Sequence, residues 1–289
     1  MILTYGIIVA LLLITGFWAL VHYMVYRAFH FSPIPEKHKP DPDVFPFREV
    51  LVDTDDKKRI QIYDLNPDFS ADVIVIAIHG WANTSEIFFT MARELAGMSR
   101  LFLLNARNHG RSDNERLMNI LKFESDLRHA INYALSAVNE KKPLVVIGHS
   151  LGAAASILAA ADDARIDGVI SISSFADVRQ IMFSGFLQKK VPVWLIKIVL
   201  KYIEWKIGRS YDEISPVRVI SRFHKPTLLI HGSKDTLVPK EDMEIILRSA
   251  KRDNVETYLA EGHSHSSLLK DPEVIRVIKN FIEKYFVKS

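Results

Sequence analysis

Ser150 lies in Gly148-His149-Ser150-Leu151-Gly152, a G-x-S-x-G pentapeptide between a β-branched run (144–148) and an alanine-rich stretch. A serine there can act as a nucleophile if it stands on a tight strand-to-helix turn that projects its hydroxyl out of a sheet. Glycines on either side let neighbouring backbone approach without a clashing Cβ. The helix that follows offers unpaired N–H groups and a positive dipole end to developing negative charge. Chance alone supplies roughly 0.1 such pentapeptides in a chain of this size, so the motif needs its context. A serine hydroxyl is a poor nucleophile until a base removes its proton. Suitable partners follow later apolar runs: Asp235 after 227–232, and His263 and His265 after 255–260. Those two histidines have no third ligand nearby and do not read as a metal pair.

The elements that must position these groups follow from patterning. Short, continuous, β-branched runs at 73–78, 100–105, 144–148, 168–173, 227–232 and 255–260 are those of strands covered on both faces. Runs at 47–52 and 59–65 flank a polar turn and predict a hairpin. Helical stretches at 84–98, 120–139, 151–163, 240–251 and 272–286 alternate with the strands, which predicts a mostly parallel sheet with helices on both faces. About 50 residues separate the runs ending at 173 and starting at 227, too many for a simple crossover. They hold the Trp- and Ile-rich segment 191–208 and predict a helical cap at about 175–215.

Composition narrows the function. With 37 Lys+Arg against 34 Asp+Glu among 289 residues, a formal charge of +3 gives no case for nucleic acid, and no nucleic-acid-binding motif occurs. The absence of cysteine excludes disulfides, thiol nucleophiles and thiolate metal sites. Residues 2–26 contain no Lys, Arg, Asp or Glu. A helix of that length reaches about 37 Å, enough to cross a hydrocarbon core of about 30 Å. Tyr5, Trp18, Tyr23 and Tyr26 near its ends suit the membrane interface. The expectation is a retained, single-pass anchor over 1–30; a signal peptide would want basic residues before a shorter apolar core, and a buried helix a polar stripe. Arg27, Lys37 and Lys39 follow the span closely and favour a cytoplasmic body. Asn83-Thr84-Ser85 matches a glycosylation triplet that would matter only outside. Five prolines within 31–46 predict a semi-rigid linker to a body at 47–289, able also to lie flat against it.

Several segments together resemble the α/β-hydrolase superfamily, in particular its capped serine hydrolases of esterase, lipase or serine-aminopeptidase type with an N-terminal membrane span. The resemblance covers about residues 47–287. His79-Gly80-Trp81 resembles the H-G-x element of the oxyanion hole, and 105–113 the D-x-R-G-H-G-x-S loop, from which Asn105 and Asn108 depart. Residues 225–239 resemble the segment carrying the acid, and 260–282 the segment carrying the histidine.

The resemblance implies an α/β-hydrolase fold with a nucleophile, acid and base in the order Ser150, Asp235, His263, with His265 the rival base and Asp177 a fallback acid better read as a helix cap. It places oxyanion donors at the backbone N–H groups of Leu151 and Trp81. Arg107, His109 and His149 are expected to brace loops. No cofactor or metal is called for. The implied activity is cleavage of carboxylic esters or thioesters, with lipid-like acyl substrates suggested by an apolar cap beside an anchor. Amide or peptide cleavage uses the same machinery. A catalytically idle membrane scaffold is the other class, and it predicts a missing element where each here has a candidate.

Overall fold

Alternation along the strands decides the architecture. In β3 (Val73–Ile78), Ile74, Ile76 and Ile78 join the apolar layer on one face of the sheet, and Val73, Val75 and Ala77 join the layer on the other. A strand apolar on both sides needs cover on both sides. A computed structural model of the chain, describing residues 1–138, 140–250 and 253–287, shows that cover. The order of elements is α1 (Ile2–Phe29), β1 (Phe47–Asp53), β2 (Arg59–Leu65), β3, α2 (Phe89–Leu95), β4 (Ser99–Asn105), α3 (Ile120–Ala137), β5 (Leu144–His149), α4 (Leu151–Asp162), β6 (Gly168–Ile172), α5 (Val178–Gln188), α6 (Val193–Ile207), α7 (Tyr211–Ile214), α8 (Pro216–Val219), β7 (Thr227–Gly232), α9 (Glu241–Ala250), β8 (Val255–Ala260) and α10 (Pro272–Phe286).

Eight strands form one sheet in the order β1-β2-β4-β3-β5-β6-β7-β8. The β1–β2 hairpin is antiparallel, β2 runs antiparallel to β4, and all later pairings are parallel. The fold is that of an α/β hydrolase. Apolar side chains of α3 and α4 fill one face, and those of α2 and α10 fill the other. The stretch expected as one helix over 84–98 is a 3₁₀ turn (Ser85–Phe88) followed by the short α2. The expected helix ends at 139 and 251 lie outside the described residues.

Helices α5 to α8 occupy the interval between β6 and β7, and local chemistry sets several of their ends. Asp177 caps α5 by accepting from the Gln180 N–H. Ser210 and Glu213 close a capping box on α7, and Gly208, at φ 69°, ends α6.

The N-terminal segment does two things. Helix α1 is long and apolar enough to cross a membrane, and its most apolar stretch is unburied. From Phe17 onwards the helix packs on the body. Val21 and Val25 are buried, the Phe17 ring stacks on Trp194 of α6, and Tyr202 meets Trp18 and His22. The proline-rich stretch lies on the body. The Ile34 N–H donates to the Asn108 carbonyl and the Ile34 carbonyl accepts from the Gly110 N–H, both at 2.8 Å.

Candidate active site

The turn between β5 and α4 holds Ser150 at φ 54°, ψ −118°, a sparsely populated region for any residue with a Cβ. Such strain costs about 1–3 kcal/mol and persists only where the surroundings over-determine it. Here they do. The Ser150 N–H donates to the Ile172 carbonyl of β6 at 2.8 Å, and the Ser150 carbonyl accepts from Ala154 of α4 at 3.0 Å. The flanking glycines are required by contact. A Cβ on Gly148 would lie 2.4 Å from the Gly152 carbonyl oxygen, and one on Gly152 would lie 2.4 Å from that of His79.

Gly80 of the HGW segment is as tightly placed: its Cβ would stand 2.7 Å from that of Ser150. The Gly80 carbonyl and the His79 Nδ1 are 2.8 Å apart, and the His79 Nε2 accepts from the Ala106 N–H at 3.1 Å. Nδ1 therefore carries the proton. Burial, with His109 adding to it, pushes His79 well below the usual imidazole range and keeps it neutral. Because the Gly80–Trp81 peptide is planar and trans, fixing that carbonyl on the imidazole turns the Trp81 N–H to the opposite side. Trp81, Ser150 and Leu151 line one cavity, and Leu151 opens α4, where N–H groups have no helical partner.

On the loop after β7, the fully shielded Asp235 carboxylate accepts from the Leu237 and Val238 N–H groups through Oδ1, both at 2.9 Å. Its Oδ2 lies 2.7 Å from the His265 Nδ1 and 3.3 Å from the His231 Nε2. Burial alone would raise its pKa, but the bonds from His231, His265 and Val238 outweigh it and hold the group well below the usual carboxylate range. An ionised Asp235 only accepts, so the His265 proton sits on Nδ1 and Nε2 is left as the acceptor nitrogen. The His265 carbonyl accepts from the His149 Nε2 at 2.9 Å, tying this loop to the residue before Ser150. Burial, reinforced by His265, pushes His149 down to about 4.

The expectation that His263 is the imidazole facing the acid is corrected. His263 Nε2 lies 3.1 Å from Asp271 Oδ2 and Nδ1 lies 3.2 Å from Ser267 Oγ. Its carbonyl accepts from the Lys234 N–H at 2.9 Å, and it packs so closely under β7 that a Cβ on Gly232 would come within 2.4 Å of it. This backbone anchor sends the His263 side chain to the start of α10 and leaves His265 to reach Asp235. Asp177, the fallback acid, is engaged as the α5 cap.

The bracing residues are buried. Arg107 makes a bidentate pair with Asp126 and also reaches Asp56 and Glu115. His109 bonds the Arg107 carbonyl at 2.9 Å, and burial lowers it to about 4. One contributor is absent from the sequence reading. Glu36, from the proline-rich stretch, accepts from Tyr63 OH (2.6 Å), Asn105 Nδ2 (2.5 Å), Gln61 Nε2 (3.1 Å) and Ser85 Oγ (3.1 Å). The signal for it was Asn105, which stands where the resembling loop has an aspartate: the carboxylate comes from another segment.

Ser150 opens into a cavity of about 360 Å³. The body contributes Trp81, Leu151 and Val238, and the cap contributes apolar residues of α5 to α7, including Met182, Ile203 and Tyr211. Ala28 and Phe29 of α1 also line it, and among the described residues of the lining Lys189 is the one charged side chain and none is acidic. Among the described residues, no group of three or more His, Asp or Glu could hold a metal ion.

Comparison with known proteins bears on the family and the fold. Residues 70–218, more than half of the chain, match the Hydrolase_4 family, described as serine aminopeptidase, S33. The chain is 26% identical over 170 residues to the uncharacterized protein YqkD of Bacillus subtilis; the match spans 57% of this chain and 55% of that protein, so the chain spans about half the length of this curated relative. Among solved structures, the Pyrococcus furiosus esterase Pf2001 superposes with a TM-score of 0.71 at 19% identity, covering 89% of this chain and 100% of the esterase. A bacterial membrane phospholipase A superposes with a TM-score of 0.64 at 15% identity over 97% of both chains. An acylaminoacyl peptidase matches with a TM-score of 0.65 at 16% identity, over 85% of this chain and 42% of its own.

Proposed function

The chain belongs to the serine aminopeptidase S33 family of α/β hydrolases, and from that premise we propose that it is a membrane-anchored serine hydrolase of lipophilic carboxylic esters or thioesters. The observation that carries the reading is Ser150, held in a strained turn at an apolar cavity and tied through His149 to the His265–Asp235 pair.

In this reading the His265 Nε2 takes the proton from Ser150 Oγ as that oxygen attacks the acyl carbon. The resulting oxyanion is held by the Leu151 and Trp81 N–H groups. Collapse breaks the bond to the leaving group, which takes the proton back from His265. Water then attacks the acyl carbon with the same imidazole as base, the bond to Ser150 Oγ breaks to release the acid, and Oγ takes the proton from His265. Asp235 stays ionised, fixing the tautomer and stabilising the imidazolium.

The lining favours esters over aminopeptidase substrates, whose free ammonium calls for a carboxylate that the cavity wall lacks. Its apolar walls favour a hydrocarbon chain. The unburied, uncharged early part of α1 supports anchoring, and Arg27, Lys37 and Lys39 after it support a cytoplasmic catalytic body.

A fluorophosphonate probe tests the chemistry. Wild type labels and hydrolyses p-nitrophenyl esters, and Ser150→Ala does neither. Failure of folded wild type to label sinks the proposal.

A further inference from the structure

We propose that the last turn of α1 is a wall of the acyl pocket, so that the anchor helix selects acyl-chain length as well as location. The inference rests on the acyl-hydrolase reading above. Ala28 and Phe29 line the same 360 Å³ cavity as Ser150, together with Met182 of α5 and Ile203 and Ile207 of α6.

Their seat is built. Val21 and Val25, two turns and one turn earlier, are 0% and 2% exposed. The Phe29 carbonyl accepts from the Met118 N–H at 3.0 Å, and the His30 Nδ1 lies 3.0 Å from the Arg116 carbonyl. The Phe31 ring packs 4.6 Å from that of Trp81, the residue beside Ser150 in the pocket. A helix end fixed this firmly presents a defined surface to a hydrocarbon chain. The small side chain at 28 leaves depth there, and the large one at 29 closes it.

Every methylene that finds the pocket raises kcat/KM roughly fourfold, so bulk at these positions changes the preferred chain. The full-length protein in detergent micelles is assayed on p-nitrophenyl esters from acetate to palmitate. A second readout is displacement of a fluorescent fatty acid by saturated fatty acids of the same lengths, which needs no turnover.

Ala28→Phe moves both optima to shorter chains, with kcat/KM on palmitate falling roughly tenfold or more and that on butyrate by less than about threefold. Phe29→Ala moves both optima to longer chains. Leu13→Phe, on the exposed part of the helix, leaves both profiles as in wild type. If either variant that still labels with fluorophosphonate keeps the wild-type profiles, the pocket-wall assignment is wrong. If wild type itself neither labels nor hydrolyses, the hydrolase reading fails, and the displacement profiles alone decide the wall: shifted in the two variants it stands, unshifted it falls.

Discussion

Asp235 gathers two backbone N–H groups and two imidazoles around one shielded carboxylate, and only one of those rings, His265, also touches the Ser150 turn through its carbonyl. Replacing His265 by alanine therefore lowers kcat by about 10²–10⁴, the usual span for a lost general base. His263→Ala loses a contact to Asp271 and keeps kcat within about threefold. Stopped assays of the two purified variants separate them, and equal losses would overturn the assignment. The buried imidazoles also set a pH dependence. His109 and His149 titrate near 4 in the fold, below an unfolded value near 6.5, so the unfolded chain binds more protons between those limits. Stability is full above about pH 6.5 and falls as pH drops towards 4, by about 1.4 kcal/mol per pH unit for each such histidine. Asp235 acts in a lower window. Its depressed pKa contributes stability above the unfolded value near 3.9, which is lost on further acidification. Melting temperatures against pH check the sign, and His109→Gln makes the slope shallower.

The loop after β4 is held at the level of elements by a carboxylate delivered from the proline-rich stretch. Removing Glu36 leaves the Tyr63, Ser85 and Asn105 donors short of a partner, at a cost of about 1–3 kcal/mol. Asn105→Asp in the otherwise intact chain sets two carboxylates against each other and destabilises. In a Glu36→Ala background the same change returns a carboxylate to the cluster and costs less. The double-mutant cycle is expected to show a coupling of about 0.5–3 kcal/mol, read from urea unfolding in detergent. Additive effects would mean that the two residues do not share one network. The strands themselves needed no such partner to be legible: β2, β3, β7 and β8 occupy 59–65, 73–78, 227–232 and 255–260, the bounds read from apolar runs. Helix α2 was harder to read, because the apolar pattern of 84–98 continues through the 3₁₀ turn and past the short helix.

Across the whole molecule, the N-terminal segment is structural from Phe17 to Lys39, since it packs on α6, pairs with the loop after β4, supplies Glu36 and bridges to Glu49. Deleting residues 1–16 therefore leaves the body's melting temperature in detergent close to that of the full chain. Deleting 1–36 uncovers Trp81, on which the Phe31 ring packs, and the buried donors around Asn105, and lowers the melting temperature and the activity together. A linker acting only as a spacer would make the two deletions equivalent, and a comparison of both in one detergent distinguishes the cases.

Local chemistry was enough to determine the strand-helix alternation, the eight strands and the turn that carries Ser150, because continuous apolar runs and glycine requirements are written within a few residues of each other. The carboxylate at Asp235 was legible for the same reason, on a loop after a continuous apolar run. Which imidazole faces it, which residue supplies the missing carboxylate beside Asn105, and what closes the cavity were decided by the tertiary structure. Those contacts are distant in the chain: Asp235 to His265 and Glu36 to Asn105 are 30 and 69 positions apart, and α1 meets α6 where His22 lies against Tyr202, 180 positions on. Two histidines near two aspartates look alike in sequence. Only the backbone anchor of His263 beneath β7 separates them, and that anchor exists once the strands have paired.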